Sequence, residues 1–171
     1  MLVISDTTPI ISLLKIDKLD LLRDLFKEVA IPQAVFLELT SNEGFAEEAE
    51  VVASCEFLSV EAVENREAVS VLQRSTGLHL GESEALVLAD LLHADLVLLD
   101  EVAGRSVASR MNLEHMGTIG ILATACKKGL LTAREIESCI NTLKENGRHI
   151  SDALYKKLID MVSNDEVRED G

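Results

Sequence analysis

Two short runs made only of apolar residues, each leading to an aspartate, place the strongest constraint on how this chain folds. Residues 2–4 lead through Ser5 to Asp6, and residues 96–99 lead directly to Asp100. A strand with no polar residue is typical of a parallel sheet that is covered by helices on both faces. We therefore expect both aspartates at the carboxyl ends of buried strands.

Segments with helical spacing of apolar residues separate these runs, and residues 81–93 carry the clearest pattern. The first helix is predicted with Thr8 as its cap and Pro9 at its first position. Further strands are expected at residues 29–31 and near His115, whereas residues 56–60 are either a strand or a connection. Strands that alternate with helices imply right-handed crossovers and one parallel sheet, which is the α/β class.

The length of 171 residues suits one domain with a sizeable core. Apolar residues make up 47% of the chain, and no apolar run approaches the roughly 20 residues that cross a bilayer. No cleavable leader pattern opens the chain, so we expect a cytoplasmic protein without membrane contact. The three cysteines, an odd number without metal-binding spacing, predict reduced thiols.

The charge balance argues against a simple nucleic-acid-binding module. Thirty acidic residues face 16 basic ones, which gives a formal net charge of -14. Such a chain repels phosphates in bulk. It is compatible with a nuclease, because clustered carboxylates can hold divalent ions that attract a phosphate.

Four acidic residues are expected at the same edge of the sheet. Asp6 and Asp100 follow strands, Glu38 lies on the helix after Pro32, and Glu82 lies in the first turn of its helix. Mg²⁺ and Mn²⁺ prefer carboxylate and water oxygens, and they assist phosphodiester hydrolysis.

Each of these acids also has a purely structural explanation. Asp6 could cap a helix, Glu38 could be solvated, Glu82 and Glu84 could complement a helix dipole, and Asp100 could begin a turn. Taken singly, the structural explanation is preferred for Glu38 and Glu84, and Glu82 stays open. One metal site accounts for both aspartates with a single assumption.

Five segments in series resemble the PIN domain, and the resemblance is nearest to VapC-like toxin ribonucleases of uncharacterised bacterial and archaeal families. They are Ile4-Ser5-Asp6-Thr7-Thr8-Pro9-Ile10-Ile11, Ile31-Pro32 with Glu38-Leu39, Gly81-Glu82-Ser83-Glu84-Ala85-Leu86, the run 96–99 with Asp100-Glu101, and Gly117-Thr118-Ile119-Gly120. Their specificity lies in the series rather than in any one motif.

The resemblance implies a PIN-like three-layer fold, with a PIN-like domain over residues 1–131 and a C-terminal helical extension over 132–171. It also implies Mg²⁺ or Mn²⁺ dependence and cleavage of single-stranded RNA by the toxin of a toxin-antitoxin pair. The expected partners are a small antitoxin protein and a second copy of the chain in a homodimer.

By position, the resemblance makes Asp6, Glu38 and Asp100 catalytic. Glu82 takes the remaining acidic position because of its spacing to Asp100, with Glu84 as its competitor. The metal ligands are then Asp6, Glu82 and Asp100. Supporting roles fall to the neighbours Thr7, Thr8, Glu84 and Glu101.

Two other readings compete with a metal nuclease. Haloacid-dehalogenase-like phosphatases also carry an aspartate after the first strand, but Thr8 stands where their second aspartate belongs. A catalytically silent PIN-like regulatory module is the non-enzymatic alternative. The histidines lack ligand spacing and are expected at the surface or partly packed: His79, His93, His115 and His149.

Overall fold

A computed structural model describes residues 1–41, 46–148, 150, 151, 155, 156 and 158. The strands are β1 (Val3–Ser5), β2 (Val29–Pro32), β3 (Leu58–Glu61), β4 (Leu96–Leu98) and β5 (His115–Met116). The helices are α1 (Thr7–Lys15), α2 (Leu21–Phe26), α3 (Gln33–Thr40), α4 (Ala46–Ala53), α5 (Arg66–Thr76), α6 (Leu80–Leu92), α7 (Val102–Arg110), α8 (Thr118–Lys127) and α9 (Ala133–Glu145).

The described strands form one parallel sheet in the order β3-β2-β1-β4-β5. The chain moves outward from β1 to β2 and β3, and then returns to the other side of β1 to form β4. Ser5 pairs with Leu98 in the register of β1 and β4. In open α/β sheets the carboxyl ends of two such strands border a crevice at the point where the strand order reverses.

Alternate residues of the strands enter two separate cores. Val3 packs with α1, α2, α8 and α9 on one face, whereas Ile4 packs with α5, α6 and α7 on the other. The same alternation places Leu98 in the first core and its neighbours Val97 and Leu99 in the second. A sheet covered on both faces is the expected three-layer α/β fold, and this prediction is confirmed.

Helix α9 completes the first core. Its residues Ile136, Cys139, Ile140 and Leu143 are buried, and the helix packs against α1 and α8. The division into 1–131 and 132–171 stays a prediction, and α9 belongs to the same packed body as the sheet.

Two local predictions need comment. The first helix begins at Thr7 with Asp6 in the cap position, so the prediction of Thr8 as cap was wrong. The uncertain segment near residues 56–60 contains a strand, β3, because Leu58 pairs with Val29 at the edge of the sheet.

Within the described ranges, no helix combines the length and apolar character needed to cross a membrane. The predictions for His149 and for the end of the C-terminal extension lie outside the described residues.

Candidate metal-binding site

Asp6 lies at the centre of the crevice between β1 and β4. Its backbone N–H donates to Leu98 O at 3.1 Å, which continues the strand pairing by one residue. Its side chain is nearly inaccessible, with 4% of the residue exposed. The pKa of Asp6 is raised to about 7, chiefly because burial penalises the charged form. The negative charges of Glu82 and Glu38 add to this rise, and hydrogen bonds from the Thr7 and Thr8 backbone amides oppose it.

Asp6, Glu38 and Glu82 line one cavity of about 430 Å³, which we call the Asp6 pocket. Glu38 is exposed on α3, and its Oε2 accepts a hydrogen bond from the Thr7 hydroxyl at 2.8 Å. A Cβ at Gly81 would lie 3.2 Å from Glu38 Oε2 and 3.4 Å from Asp6 Oδ1. The start of α6 therefore approaches both carboxylates closely.

Glu82 is the least satisfied acid of the pocket. Its Oε2 accepts from the His79 backbone N–H at 3.2 Å, but its Oε1 is buried without a hydrogen-bond partner among the described residues. Buried polar atoms normally have a partner, and leaving one without costs about 1–3 kcal/mol. A Cβ at Gly104 would lie 3.0 Å from this oxygen, so the glycine leaves it room.

Glu84 has a different role from Glu82. It is 2% exposed, its Oε2 accepts from the Ala34 backbone N–H at 3.0 Å, and its Oε1 accepts from the Arg66 guanidinium. These contacts join α6 to the start of α3 and to α5. Glu84 does not line the Asp6 pocket, so Glu82 is the acid of this helix that faces it.

Asp100 lies in an adjoining cavity of about 360 Å³, which we call the Asp100 cavity. Its Oδ1 accepts from the Thr118 backbone N–H at 2.7 Å, which caps α8. Its Oδ2 accepts from the Thr118 hydroxyl at 2.7 Å, with the Ser12 hydroxyl at 3.2 Å and Arg148 Nη2 at 3.4 Å. Both oxygens are therefore already engaged.

Glu101 borders both cavities. It is exposed at the cap position of α7, and its Oε1 lies 3.7 Å from Arg148 Nη1. Of the remaining predicted supporting residues, Thr7 uses its hydroxyl to hold Glu38, and Thr8 contributes its carbonyl oxygen to Ser12 and Arg148.

The donor set of the Asp6 pocket suits a hard divalent cation. All of its acidic side chains offer oxygen, and Glu82 Oε1 is not committed to a hydrogen bond with any described residue. Within the described part of the chain, however, no three His, Cys, Asp or Glu side chains converge closely enough to hold an ion. The oxygen ligands of the Asp6 pocket fit a hard divalent cation. Asp100 lies apart from these acids, in the adjoining cavity.

Sequence reasoning missed the groups that hold the predicted acids. Ser12 and Arg148 are 88 and 48 residues from Asp100 along the chain, so no local pattern indicates either contact. Thr118 belongs to the segment Gly117-Thr118-Ile119-Gly120, but no role was predicted for its side chain from the sequence. His79 was expected at the surface, and it is exposed at the rim of the Asp6 pocket.

Comparison with known proteins identifies the family. No curated protein and no solved structure matches the chain significantly. A family model described as PIN domain matches residues 2–164, which is nearly the whole chain. With its parallel sheet and its acidic crevice at the switch point, this chain belongs to the PIN-domain family.

Proposed function

We propose that this protein is a divalent-metal-dependent endoribonuclease that cleaves single-stranded RNA. PIN domains are typically nucleases, bind nucleic acid and generally use divalent metal ions. The observation that carries the proposal is the buried Oε1 of Glu82, which has no hydrogen-bond partner among the described residues. The Glu82 side chain lines the same pocket as Asp6, whose pKa is raised to about 7. An arrangement that costs folding energy without a compensating contact is typical of a functional site.

The acids have separate roles in this mechanism. Asp6 and Glu82 would hold the ion, Glu38 would add charge at the rim, and Asp100 would contribute from the adjoining cavity. When bound, the ion supplies Lewis-acid polarisation of the phosphate and a lowered pKa for water. Thr7 keeps Glu38 in place through its hydroxyl hydrogen bond.

A phosphodiester backbone also needs cations from the protein, because the chain is strongly acidic overall. Arg105 on α7 lines the Asp100 cavity and pairs with no carboxylate of the described residues. An arginine available beside the acidic crevice is suited to a phosphate of the RNA. We assign it to substrate binding.

The toxin role extends the proposal and is supported by the resemblance to VapC-like toxins. A small antitoxin would then block the acidic crevice, and two copies would pair through apolar helix faces. Light scattering of the purified protein tests the dimer: a stable monomer would remove it. Co-purification with the product of an adjacent small gene, together with growth arrest when this chain is expressed alone, tests the toxin role.

The decisive experiment incubates the protein with a mixed panel of single-stranded RNAs, with Mn²⁺ or with EDTA. Asp6→Asn, Glu82→Gln and Asp100→Asn should each abolish cleavage, and Asp90→Asn is the matched control because Asp90 is exposed on α6 with Glu82. Cleavage that persists in EDTA or in Asp6→Asn would contradict the proposal.

One observation favours a second candidate, a catalytically silent regulatory module. Asp100 is fully occupied by Thr118, Ser12 and Arg148, as expected of an acid with a structural role. Calorimetric titration separates the two: a nuclease binds Mn²⁺ and loses this binding in Asp6→Asn, whereas a silent module shows no binding at millimolar Mn²⁺.

A further inference from the structure

Arg148 reaches from the segment after α9 into the acidic edge of the sheet. Its Nη2 donates to the Ser12 hydroxyl at 2.8 Å and to the Thr8 carbonyl at 3.1 Å. The same nitrogen lies 3.4 Å from Asp100 Oδ2, and Nη1 lies 3.7 Å from Glu101 Oε1. One guanidinium thus contacts helix α1 and the loop after β4.

This arrangement places a positive charge where the proposed reaction needs a metal ligand. Asp100 Oδ2 accepts from the Thr118 hydroxyl and lies within hydrogen-bonding distance of the Ser12 hydroxyl and of Arg148 Nη2, so donors already surround it. A divalent ion and a guanidinium attract the same oxygen and repel each other. Asp100 is therefore unable to serve both fully at once.

The neighbouring pocket shows the contrast directly. Among the described residues, no arginine or lysine lines the Asp6 pocket, and Glu82 Oε1 has no hydrogen-bond partner. The internal cation is specific to the Asp100 side, where the side chain of Arg148 is only 29% exposed. Since this pair is partly shielded from water, salt screens it less than a surface ion pair.

We propose that Arg148 acts as an internal competitor of the divalent ion at Asp100, so that the segment following α9 controls metal loading of the acidic site. The inference rests on the proposed metal dependence. Release of Arg148 frees Asp100 Oδ2 as a metal ligand, and docking of Arg148 withdraws it.

The test measures Mn²⁺ affinity by isothermal titration calorimetry on the full chain without RNA. Arg148→Ala should bind Mn²⁺ about tenfold more tightly than the wild type, because a unit charge next to the ligand oxygen is removed. Arg134→Ala is the matched control, since Arg134 is exposed on α9 and makes no ion pair with a described residue. It should leave the affinity unchanged.

A second variant keeps the test valid if the alanine variant fails to fold. Arg148→Gln keeps a polar side chain with two N–H donors but carries no charge, so it should also bind Mn²⁺ more tightly. Unchanged or weaker binding in a folded Arg148 variant would overturn the inference, and weaker binding would make Arg148 a positioning residue instead.

The same titrations separate this inference from the proposed function. If the wild type binds Mn²⁺ and cleaves RNA while the Arg148 variants bind equally well, only the inference fails. If neither the wild type nor the variants bind Mn²⁺, the proposed metal dependence fails and the competition fails with it. Cleavage at limiting Mn²⁺ gives an independent readout: half-maximal rate should occur at a lower concentration in Arg148→Gln.

Discussion

The two halves of the acidic edge differ in how their carboxylates are satisfied. In the Asp6 pocket, Asp6 is buried beside two other acids, and one oxygen of Glu82 has no partner among the described residues. In the Asp100 cavity, the carboxylate of Asp100 receives hydrogen bonds from α8, from α1 and from Arg148. The contacts of the Asp6 pocket lower the free energy of unfolding, whereas those of the Asp100 cavity raise it.

This difference separates two uses of an acidic residue at a strand end. A carboxylate that caps a helix and pairs with an arginine stabilises the fold without any ligand. A buried carboxylate among like charges lowers stability until protonation or a cation relieves it. The predictions below test whether the two halves respond as differently as their contacts indicate.

The largest expected effect is an opposite change in stability from two identical substitutions. Without metal at pH 8, Asp6→Asn should raise the free energy of unfolding by roughly 2–4 kcal/mol, because a pKa shift from 3.8 to about 7 corresponds to about 4 kcal/mol at most. Asp100→Asn should lower it by about 1–2 kcal/mol, because contacts to Thr118, Ser12 and Arg148 are lost. Denaturant unfolding in EDTA measures both.

The pH dependence gives the sign of the Asp6 effect independently. The pKa of Asp6 is raised in the folded state, so its contribution to stability is present below pH 4 and is lost as the pH rises through about 7. The advantage of Asp6→Asn over the wild type should therefore be smaller at pH 5.5 than at pH 8. An equal advantage at both values, or a loss of stability at pH 8, would show that Asp6 is not destabilised by ionisation.

The next effect contrasts two glutamates on one helix. Glu84→Gln should lower stability by about 1–3 kcal/mol, because it weakens a buried link to Arg66 and to the Ala34 amide. Glu82→Gln should leave stability nearly unchanged but reduce Mn²⁺ affinity at least tenfold. Unfolding and calorimetric titration of both variants check this, and loss of Mn²⁺ binding in a folded Glu84→Gln would reverse the assignment.

The strands could be predicted from the sequence because each is indicated by a short run of neighbouring residues. The apolar run at residues 96–99 and the polar residue that follows it identify a covered strand and its end without any knowledge of the rest of the chain. The same reasoning predicted that Asp6 and Asp100 follow the carboxyl ends of strands, and both do. That β1 and β4 are neighbours, with Ser5 paired to Leu98, is information that the structure adds.

The residues that each acid contacts could not be predicted in this way. Glu82 and Glu84 are two residues apart on α6 and chemically alike, yet one faces the Asp6 pocket and the other faces α3 and α5. Their difference depends on Arg66 and Ala34, which are distant in sequence from the motif. Arg148 is farther from this motif along the chain than either of these residues. Its contact with Thr8 forms only when α9 packs against α1, which no local pattern predicts.

A smaller effect is expected on RNA binding when Arg105 is replaced. If it is found, the Asp100 cavity binds substrate, in contrast to the Asp6 pocket, which is proposed to bind the ion. Arg105→Ala should raise the KM for RNA about tenfold with little change in kcat, and it should reduce the salt dependence of binding by about one ion. Arg110→Ala is the control, since Arg110 is exposed at the other end of α7. Equal KM values in the two variants would contradict the assignment.

The smallest effect tests how closely the Asp6 pocket is built. A Cβ in Gly104→Ala would lie 3.0 Å from Glu82 Oε1 and 3.5 Å from Leu99 Cδ2, so the carboxylate must move by a few tenths of an ångström. The gain in helix propensity, about 0.5–1 kcal/mol, should offset the strain, and stability should change little. Mn²⁺ affinity should nevertheless fall about threefold, because a ligand oxygen is displaced, while the exposed control Ser106→Ala should leave it unaltered. Unchanged affinity in Gly104→Ala would indicate that Glu82 Oε1 does not bind the ion, and would remove the observation on which the nuclease proposal depends.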